Sequence, residues 1–396
     1  MADEDLPGLP RDFSLVQGGP LFQLYRRTHL ATDALELLHR RILVIALFAW
    51  LPLAFLSLLE GRALGGSITI PFLYDIEAHA RFLIALPVLI AAELVVHRRV
   101  APLMRRFVER RVVVAEDIPE LNAAIDSALR VRNSVAVEIA LVVLVYTVGL
   151  WVWRSKIALG AATWYAVPDT AGGHYTAAGY WYAFVSIPMF QFTLLRWYMR
   201  VALWFWLLWR VSRFKLHLMA GHPDRAGGIG FLGKSAYAFG SLLFAQGAVL
   251  SGLIANRVLY ERASLTSFRV DAGGLIGFFV LVVLGPLVMF TPQLLQAKRT
   301  GSNEYALLAT RLVGGFEEKW LRGRAPDVTQ LLREPDASSL ADFGTSYSVV
   351  KEMRIVPFGL HDITQLVVAA AAPLLPLALT RLSLEEVATR LIQILF

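Results

Sequence analysis

The stretch WYAFVSIPMFQFTLLRWYMRVALWFWLLWR, residues 181–210, is apolar along most of its length and carries only three charged side chains. A helix needs about 20 apolar residues to cross a hydrocarbon core of roughly 30 Å. This stretch is longer, so it predicts a membrane-spanning helix that is tilted or that continues beyond the bilayer. Two of its charged residues, Arg196 and Arg200, lie one helical turn apart inside the apolar run.

The whole chain has the same apolar character. Of its 396 residues, 56% are hydrophobic and 17% are charged, and the mean hydropathy is +0.55. A soluble domain of this length is not so apolar. The chain contains no cysteine, which excludes disulfides and thiolate metal sites. The composition therefore predicts an all-α integral membrane protein.

Apolar runs of spanning length recur along the chain. The last of them contains Pro373 and Pro376, so it is predicted to be either a seventh span or a re-entrant segment. We therefore expect a polytopic helical bundle of six to seven transmembrane helices with small helical cytoplasmic elements. The predicted spans are 42–59, 81–96, 134–153, 181–209, 236–255, 275–291 and 363–380.

Basic residues are distributed unevenly between these runs. The segment before the first run holds Arg26, Arg27, Arg40 and Arg41, residues 98–132 hold eight basic side chains, and residues 298–354 hold nine. The connections that alternate with these basic segments along the chain hold only two or three basic side chains each. Because cytoplasmic loops retain positive charge, the N-terminus is predicted to be cytoplasmic, in the inner membrane of a bacterium. The net charge of +7 follows from this asymmetry, so binding to nucleic acid is not needed to explain it.

The soluble parts of the chain are short. Residues 1–41 are predicted as a cytoplasmic segment with an amphipathic helix, and residues 98–132 as a helical loop in which Pro119 lies at a helix start. Residues 298–362 are predicted as a cytoplasmic helical region, with helix starts near Ser302 or Asn303 and near Ser338 or Ser339. Residues 381–396 are predicted as an amphipathic C-terminal helix. None of these segments is long enough for a self-sufficient catalytic domain.

The spans contain a small set of ionisable and polar residues. Glu93 and Glu138 lie about one turn inside the cytoplasmic ends of their spans, at the depth of Arg196 and Arg200, and Gln191 lies on the same span as the arginines. Pairing between the two charge types is expected, because isolated charges are costly there. Two interpretations stay open: an ion-pair network that locks three helices, or a polar path for an ion, a proton or an anionic solute.

The connection HPDRAGGIGFLGKS, residues 222–235, matches two nucleotide-binding patterns. Gly228 to Ser235 spells G-x-x-x-x-G-K-S, and Gly228, Gly230 and Gly233 spell G-x-G-x-x-G. Both patterns require a buried strand that leads into the first glycine and a sheet around it. A membrane run follows Ser235 and no strand precedes Gly228, so neither nucleotide site is expected.

The same connection also resembles a J-domain. The segment RFKLHLMAGHPDRAGGIGFLGKSAYAF is similar to the second helix, the His-Pro-Asp loop and the start of the third helix of these co-chaperones. That resemblance implies docking on an Hsp70 ATPase through the basic second helix. It covers 27 of 396 residues. The flanking helices would be parts of membrane spans, so a four-helix J-domain core is not expected.

Two interpretations of this connection remain. One is a tight turn between spans, in which Pro223 ends the fourth helix and the glycines adopt positive φ. The other is an anion or lipid-headgroup site at a helix N-terminus that faces the cytoplasm, where free amide hydrogens bind a phosphate. The residues of this predicted site are His222, Asp224, Arg225, Gly228, Gly230 and Lys234.

The sequence carries no motif of a membrane enzyme. There is no G-x-S-x-G, H-E-x-x-H or D-x-x-D pattern at a membrane edge, and the histidine spacing does not fit a helix-borne zinc site. We therefore expect no catalytic residue, metal or cofactor. The leading hypothesis is a channel or secondary carrier for an ion or small anionic solute, in a homo-oligomer. The alternatives are a structural membrane subunit whose cytoplasmic helices recruit a protein partner, and a protein that binds or modifies lipids of the inner leaflet.

Overall fold

The computed structural model describes residues 13–28, 37–65, 68–152, 154–155, 163–167, 174–322 and 336–379. The predicted C-terminal helix at 381–396 lies outside these ranges. Regular structure in the described ranges is almost entirely helical. The strands β1 (Ala166–Val167) and β2 (His174–Tyr175) form one short antiparallel pair.

Seventeen α-helices are numbered here in chain order within the described ranges. They are α1 Pro20–Arg27, α2 Leu38–Leu59, α3 Ile76–His79, α4 Leu86–Val100, α5 Leu103–Glu109, α6 Ile118–Arg132, α7 Val135–Leu144, α8 Leu150–Val152, α9 Ala177–Trp181, α10 Ile187–Val211, α11 Phe231–Ala236, α12 Gly240–Tyr260, α13 Arg269–Leu284, α14 Thr291–Phe316, α15 Asp336–Lys351, α16 Leu360–Ala371 and α17 Leu375–Leu379.

Six continuous helical segments of the described chain are long and apolar enough to cross a membrane, judged by length and composition. This agrees with the predicted all-helical bundle. The six segments contain the predicted first, second, third, fifth, sixth and seventh spans, within one or two residues at the ends. They are Leu38–Leu59, Ile76–Glu109, Val135–Val152, Phe231–Tyr260, Leu265–Leu321 and Leu360–Ala378.

The fourth predicted span, 181–209, is helical but is not one of these six. Its Trp and Tyr residues and two arginines lower its hydropathy, although Trp and Tyr are common where helices meet the membrane interface. Its helix nevertheless runs along the bundle. At one end the Ala177 amide donates to Glu60 Oε1 at 2.8 Å, and at the other end Arg210 Nη2 lies 3.0 Å from Glu120 Oε1.

Prolines explain the irregular turns inside two of the long helices. Pro87 lies in the first turn of α4 and Pro188 in the first turn of α10. Each is preceded by a π-helical turn, at Ala80–Ala85 and Tyr182–Ser186. Proline has no N–H to donate, so a wider turn before it lets the helix continue without a break.

The N-terminal segment is part of the core. Phe13, Leu15 and Val16 are no more than 2% exposed, and the Phe13 ring stacks on Trp204 of α10 at 6.2 Å. The chain then enters α1 through Gly18 and Gly19, both at positive φ. We name residues 13–27 the N-terminal plug: Phe13 to Val16 are buried in the bundle, and α1 lies against it with Phe22 buried and its outer face exposed.

Helix boundaries near the predicted cytoplasmic side differ from expectation. The predicted helix start at Ser302 or Asn303 is wrong, since α14 runs unbroken from Thr291 to Phe316. No proline interrupts it after its first turn, so the helix of the preceding span simply continues. Ser338 and Ser339 lie inside the next described helix, α15, so the predicted helix start at either serine is wrong as well.

The end of α10 also differs from expectation. It ends at Val211, well before Pro223, so that proline does not end the helix. The side chain of Gln293 donates to the carbonyls of Ser212 and Phe214 at 2.7 and 3.1 Å. These bonds hold the chain in a non-helical conformation directly after α10.

Candidate functional site

Five charged side chains converge inside the bundle, and we name them the arginine cluster: Arg41, Glu93, Glu138, Arg196 and Arg200. Glu93 of α4 is bound by arginines from two other helices. Arg41 Nη2 of α2 lies 2.5 Å from Glu93 Oε2, and Arg200 Nη2 of α10 lies 2.8 Å from Glu93 Oε1. Arg196 Nη2 lies 3.3 Å from Glu138 Oε1 of α7. The structure therefore brings together the four predicted ionisable residues and adds a fifth, Arg41.

The arginine cluster is buried but not fully satisfied. Each of its residues is at most 9% exposed. Three guanidinium groups face two carboxylates, which leaves one uncompensated positive charge among these five side chains. Arg41 Nε and Nη1 and Arg196 Nε have no hydrogen-bond partner in the described chain. A buried donor without a partner costs about 1–3 kcal/mol, and more when the group is charged.

Glu138 connects the arginine cluster to the N-terminal plug. Its Oε2 accepts a 3.0 Å hydrogen bond from the amide of Leu21, in the first turn of α1. The carboxylate thus neutralises the positive end of a helix as well as Arg196. Movement of α1 away from the bundle would remove one of these two partners of Glu138.

Further contacts hold the plug over the cluster. The Arg41 guanidinium lies 5.2 Å from the centre of the Tyr25 ring. Arg132 of α6 donates to the Ser14 carbonyl, and Ser14 Oγ lies 2.9 Å from His97 Nδ1. Burial and the nearby charge of Arg200 lower the pKa of Arg132 to about 10. The positive charge of the arginine cluster therefore acts on Arg132, the residue that anchors the plug.

The fifth predicted intramembrane residue, Gln191, makes its hydrogen bond away from these charges. Its Nε2 donates to the Gly149 carbonyl at 3.2 Å, and its Oε1 is buried without a hydrogen-bond partner in the described chain. The side chain packs so closely on the helical turn at Gly149 that a Cβ added there would overlap it. Gln191 therefore joins α10 to the end of the third span rather than to the arginine cluster.

A second buried polar group lies toward the opposite end of the bundle, and we name it the Asp75 cluster. Asp75 Oδ1 accepts from Asn256 Nδ2 at 2.8 Å and from the Ala78 amide at 3.0 Å. Its Oδ2 accepts from Trp164 Nε1 at 2.8 Å. Arg81 donates to Tyr182 Oη at 2.7 Å and pairs with Glu77. Twelve residues separate Arg81 from Glu93, which corresponds to about 18 Å along a helix.

The two clusters differ in how completely their polar atoms are paired. No polar side-chain atom of Asp75, Arg81 or Asn256 is among the buried atoms without a hydrogen-bond partner in the described ranges, whereas atoms of Arg41, Glu138 and Arg196 are. A satisfied buried network rigidifies a fold, and a partly satisfied one needs another explanation. The arginine cluster is therefore the stronger candidate for a functional site.

The connection at residues 222–235, which we name the His222 connection, is organised around one carboxylate. Asp224 Oδ1 accepts from the amides of Ala226 at 2.8 Å and Gly228 at 3.1 Å, and its Oδ2 accepts from the amide of Gly230 at 2.8 Å. Burial raises the pKa of Asp224, but the three amide bonds and the neighbouring His222 outweigh burial, so its pKa lies below the ordinary value.

This geometry bears on the predicted anion or lipid-headgroup site. The amides that a phosphate would need are already bonded to Asp224, so an anion would have to displace that carboxylate. Arg225, at a φ of 54°, pairs with Glu352 at 2.8 Å, and Lys234 is exposed. The geometry is that of a turn stabilised by its own aspartate.

The nucleotide and J-domain patterns lack their structural context here. Residues 212–230 contain no helix or strand, so no strand leads into Gly228 and no helix leads directly into the His-Pro-Asp tripeptide. Instead this segment pairs with the loop that follows α5, where the His217 amide donates to the Val112 carbonyl at 2.8 Å. The co-chaperone activity that the resemblance implies therefore has no structural support.

Sequence reasoning missed Arg41, Tyr25 and the whole Asp75 cluster. It counted Arg41 with Arg40 as a loop charge, and the local sequence HRRIL gives no reason to separate the two. The sequence-based set held two glutamates and two arginines, so it gave no sign of a third arginine in the cluster. A comparison of the chain with protein-family models, with curated proteins and with solved structures found no match.

Proposed function

We propose that this protein is a channel or secondary carrier that moves an ion or a small anionic solute across the membrane, with the arginine cluster as its polar site. The observation that carries the proposal is the set of buried arginine N–H groups without partners in the described chain. Ionisable groups inside a membrane protein normally face protein, water or a permeating species. The described part of the chain leaves these donors without acceptors, and a solute or water in the site would supply them.

A purely structural role explains the cluster less well. The same bundle contains the Asp75 cluster, where a buried arginine is paired with Glu77 and Tyr182. Stabilisation alone favours complete pairing, because each unpaired donor costs free energy. A third arginine that adds charge without a matching carboxylate weakens the bundle unless it serves another purpose.

The proposed topology places this site on a path across the bilayer. We propose that α10 crosses the membrane together with the six apolar segments, because it returns the chain from the Glu60 end of the bundle to the Glu120 end. The N-terminus then lies in the cytoplasm of a bacterium, and lipids contact the outward side chains. Assembly with further copies of the chain belongs to this proposal as well.

The proposal is tested by flux from liposomes that contain the purified protein. Chloride, nitrate, formate, potassium and proton fluxes are compared for the native chain, Arg196→Ala and Glu138→Gln. A matched control is Arg81→Lys, which alters a buried arginine in the Asp75 cluster. We expect flux of at least one species that both cluster variants abolish and the control retains. Absence of flux for every species, with variants that only lose thermal stability, would show that the charges are structural.

A further inference from the structure

The arginine cluster, taken as the site of the proposed function, also indicates which solute it binds. Within the described chain, its three arginines pair with two glutamates, which leaves one positive charge among these five side chains without a matching carboxylate. Burial makes such a charge costly, and the cost is removed when one opposite charge enters the site. One charge unit corresponds to a monovalent anion, whereas a divalent anion would reverse the imbalance.

The free donors indicate the shape of this anion. Arg41 uses Nη2 for Glu93 at 2.5 Å, which leaves Nε and Nη1 without hydrogen-bond partners in the described chain. Arg196 Nε is a further buried donor without one. Guanidinium groups bind planar oxyanions through directed N–H bonds, which a spherical halide uses less well.

Burial limits the size of the solute. Arg41 is 1% exposed and Arg200 is 2% exposed, and Tyr25 of the plug lies over the Arg41 guanidinium. Because protein encloses these side chains, a lipid headgroup, which needs an opening toward the bilayer, does not reach them, and only a small ligand is compatible with the site.

We propose that the arginine cluster binds one small monovalent oxyanion, such as nitrate or a short carboxylate, through the free N–H groups of Arg41 and Arg196. The N-terminal plug covers this site, and the bond from the Leu21 amide to Glu138 couples the position of α1 to the charge balance of the cluster. Entry and release of the anion then require α1 to move.

The test is binding to the purified full-length chain in detergent, measured by calorimetry and by the thermal unfolding temperature. Sodium nitrate, formate, chloride and sulfate are compared at constant ionic strength. We expect saturable binding of nitrate or formate with one site per chain and a higher unfolding temperature. Chloride and sulfate are expected to bind at least tenfold more weakly, a difference of about 1.4 kcal/mol.

Two conservative variants identify the donors. Arg41→Lys keeps the positive charge but removes the planar guanidinium, so we expect at least tenfold weaker nitrate binding, again about 1.4 kcal/mol. Arg81→Lys, at another buried arginine, in the Asp75 cluster, should bind nitrate like the native chain. Calorimetry on the native chain decides the question even if Arg41→Lys does not fold.

The results separate this inference from the transport proposal. No saturable nitrate or formate binding, or equal affinity for chloride or sulfate, would overturn the inference. Unchanged binding by folded Arg41→Lys would overturn it as well. Oxyanion binding without flux in liposomes would support this site and contradict transport, while flux without oxyanion binding would support transport alone.

Discussion

Arg41 and Arg81 are both buried arginines on long helices, at 1% and 5% exposure, but their surroundings differ. Arg81 is bonded to Tyr182 and Glu77. Arg41 places Nη2 beside Glu93, but its Nε and Nη1 have no hydrogen-bond partner in the described chain. Burial alone therefore does not separate a structural charge from a functional one. The two kinds of charge are separated by whether each N–H donor has a hydrogen-bond partner.

Glu138→Gln tests the energetics of the arginine cluster at the residue scale. The amide oxygen can still accept from Leu21, but Arg196 loses its carboxylate and the excess of positive charge grows. Breaking a buried ion pair from one side typically costs about 3–5 kcal/mol, so we expect a loss of that order. The measurement is denaturant unfolding in detergent micelles.

The matched control for this change is Glu120→Gln. Glu120 pairs with Arg210 at 3.0 Å, and both side chains are substantially exposed. An exposed ion pair contributes about 0–1 kcal/mol, so its loss should barely change unfolding. Equal destabilisation by the two variants would contradict the distinction between buried and exposed pairs.

Asp224→Asn tests the carboxylate that organises the His222 connection. The pKa of Asp224 is lower in the folded chain than in the unfolded chain, so its ionised form stabilises the fold above its unfolded pKa of about 3.9. This contribution is lost as the pH falls through the folded pKa. We expect the variant to melt below the native chain at pH 7 and the gap to shrink below about pH 4.

Asp342→Asn is the control, because Asp342 is exposed on α15. Thermal unfolding of the three proteins across this pH range provides the measurement. A gap between native chain and Asp224→Asn that does not change with pH would mean that the ionised carboxylate is not the stabilising form.

At the scale of elements, the N-terminal plug depends on two glycines. Gly18 has a φ of 128°, and a Cβ there would overlap the Arg132 guanidinium and lie 2.7 Å from Asn133 Oδ1. The plug therefore packs against α6 through a backbone position that has no room for a side chain. Its contacts include α2, α4, α6, α7 and α10, so its attachment depends on how these helices pack together.

Gly18→Ala should loosen the plug. Strain at positive φ and the overlap with Arg132 together should cost more than about 1 kcal/mol. We expect faster amide hydrogen exchange in residues 13–27. Gly61→Ala is the control, since Gly61 has a φ of 68° and open space around it. Equal exchange of the plug in both variants would show that the Arg132 contact does not hold it.

At the scale of the whole molecule, the absence of cysteine makes the topology directly measurable. Single-cysteine variants at the exposed positions Gly61, Glu116 and Arg213 sample both ends of the bundle. A membrane-impermeant maleimide applied to intact spheroplasts should label Gly61→Cys. It should label Glu116→Cys and Arg213→Cys only after lysis.

Arg213→Cys is the informative variant, because Arg213 follows α10. Labelling of both Arg213→Cys and Gly61→Cys in intact spheroplasts would mean that α10 does not cross the membrane. Labelling of Glu116→Cys and Arg213→Cys but not of Gly61→Cys would reverse the proposed orientation.

The sequence by itself determined the helical membrane character of this chain and the approximate positions of six apolar segments. It also selected Glu93, Glu138, Arg196 and Arg200 as an interacting set, because charges at equal depth in apolar helices have few other partners. Hydropathy and helical spacing are properties of local sequence, so they can be evaluated before the fold is known.

Only the tertiary structure decided which polar groups are satisfied. It placed Arg41 beside Glu93, bonded Asp75 to Asn256 across 181 residues of sequence, and inserted Phe13 into the core. It also bonded the amides of Ala226, Gly228 and Gly230 to the carboxylate of Asp224. Hydrogen-bond partners depend on how distant helices pack, and adjacent residues such as Arg40 and Arg41 are indistinguishable until that packing is known.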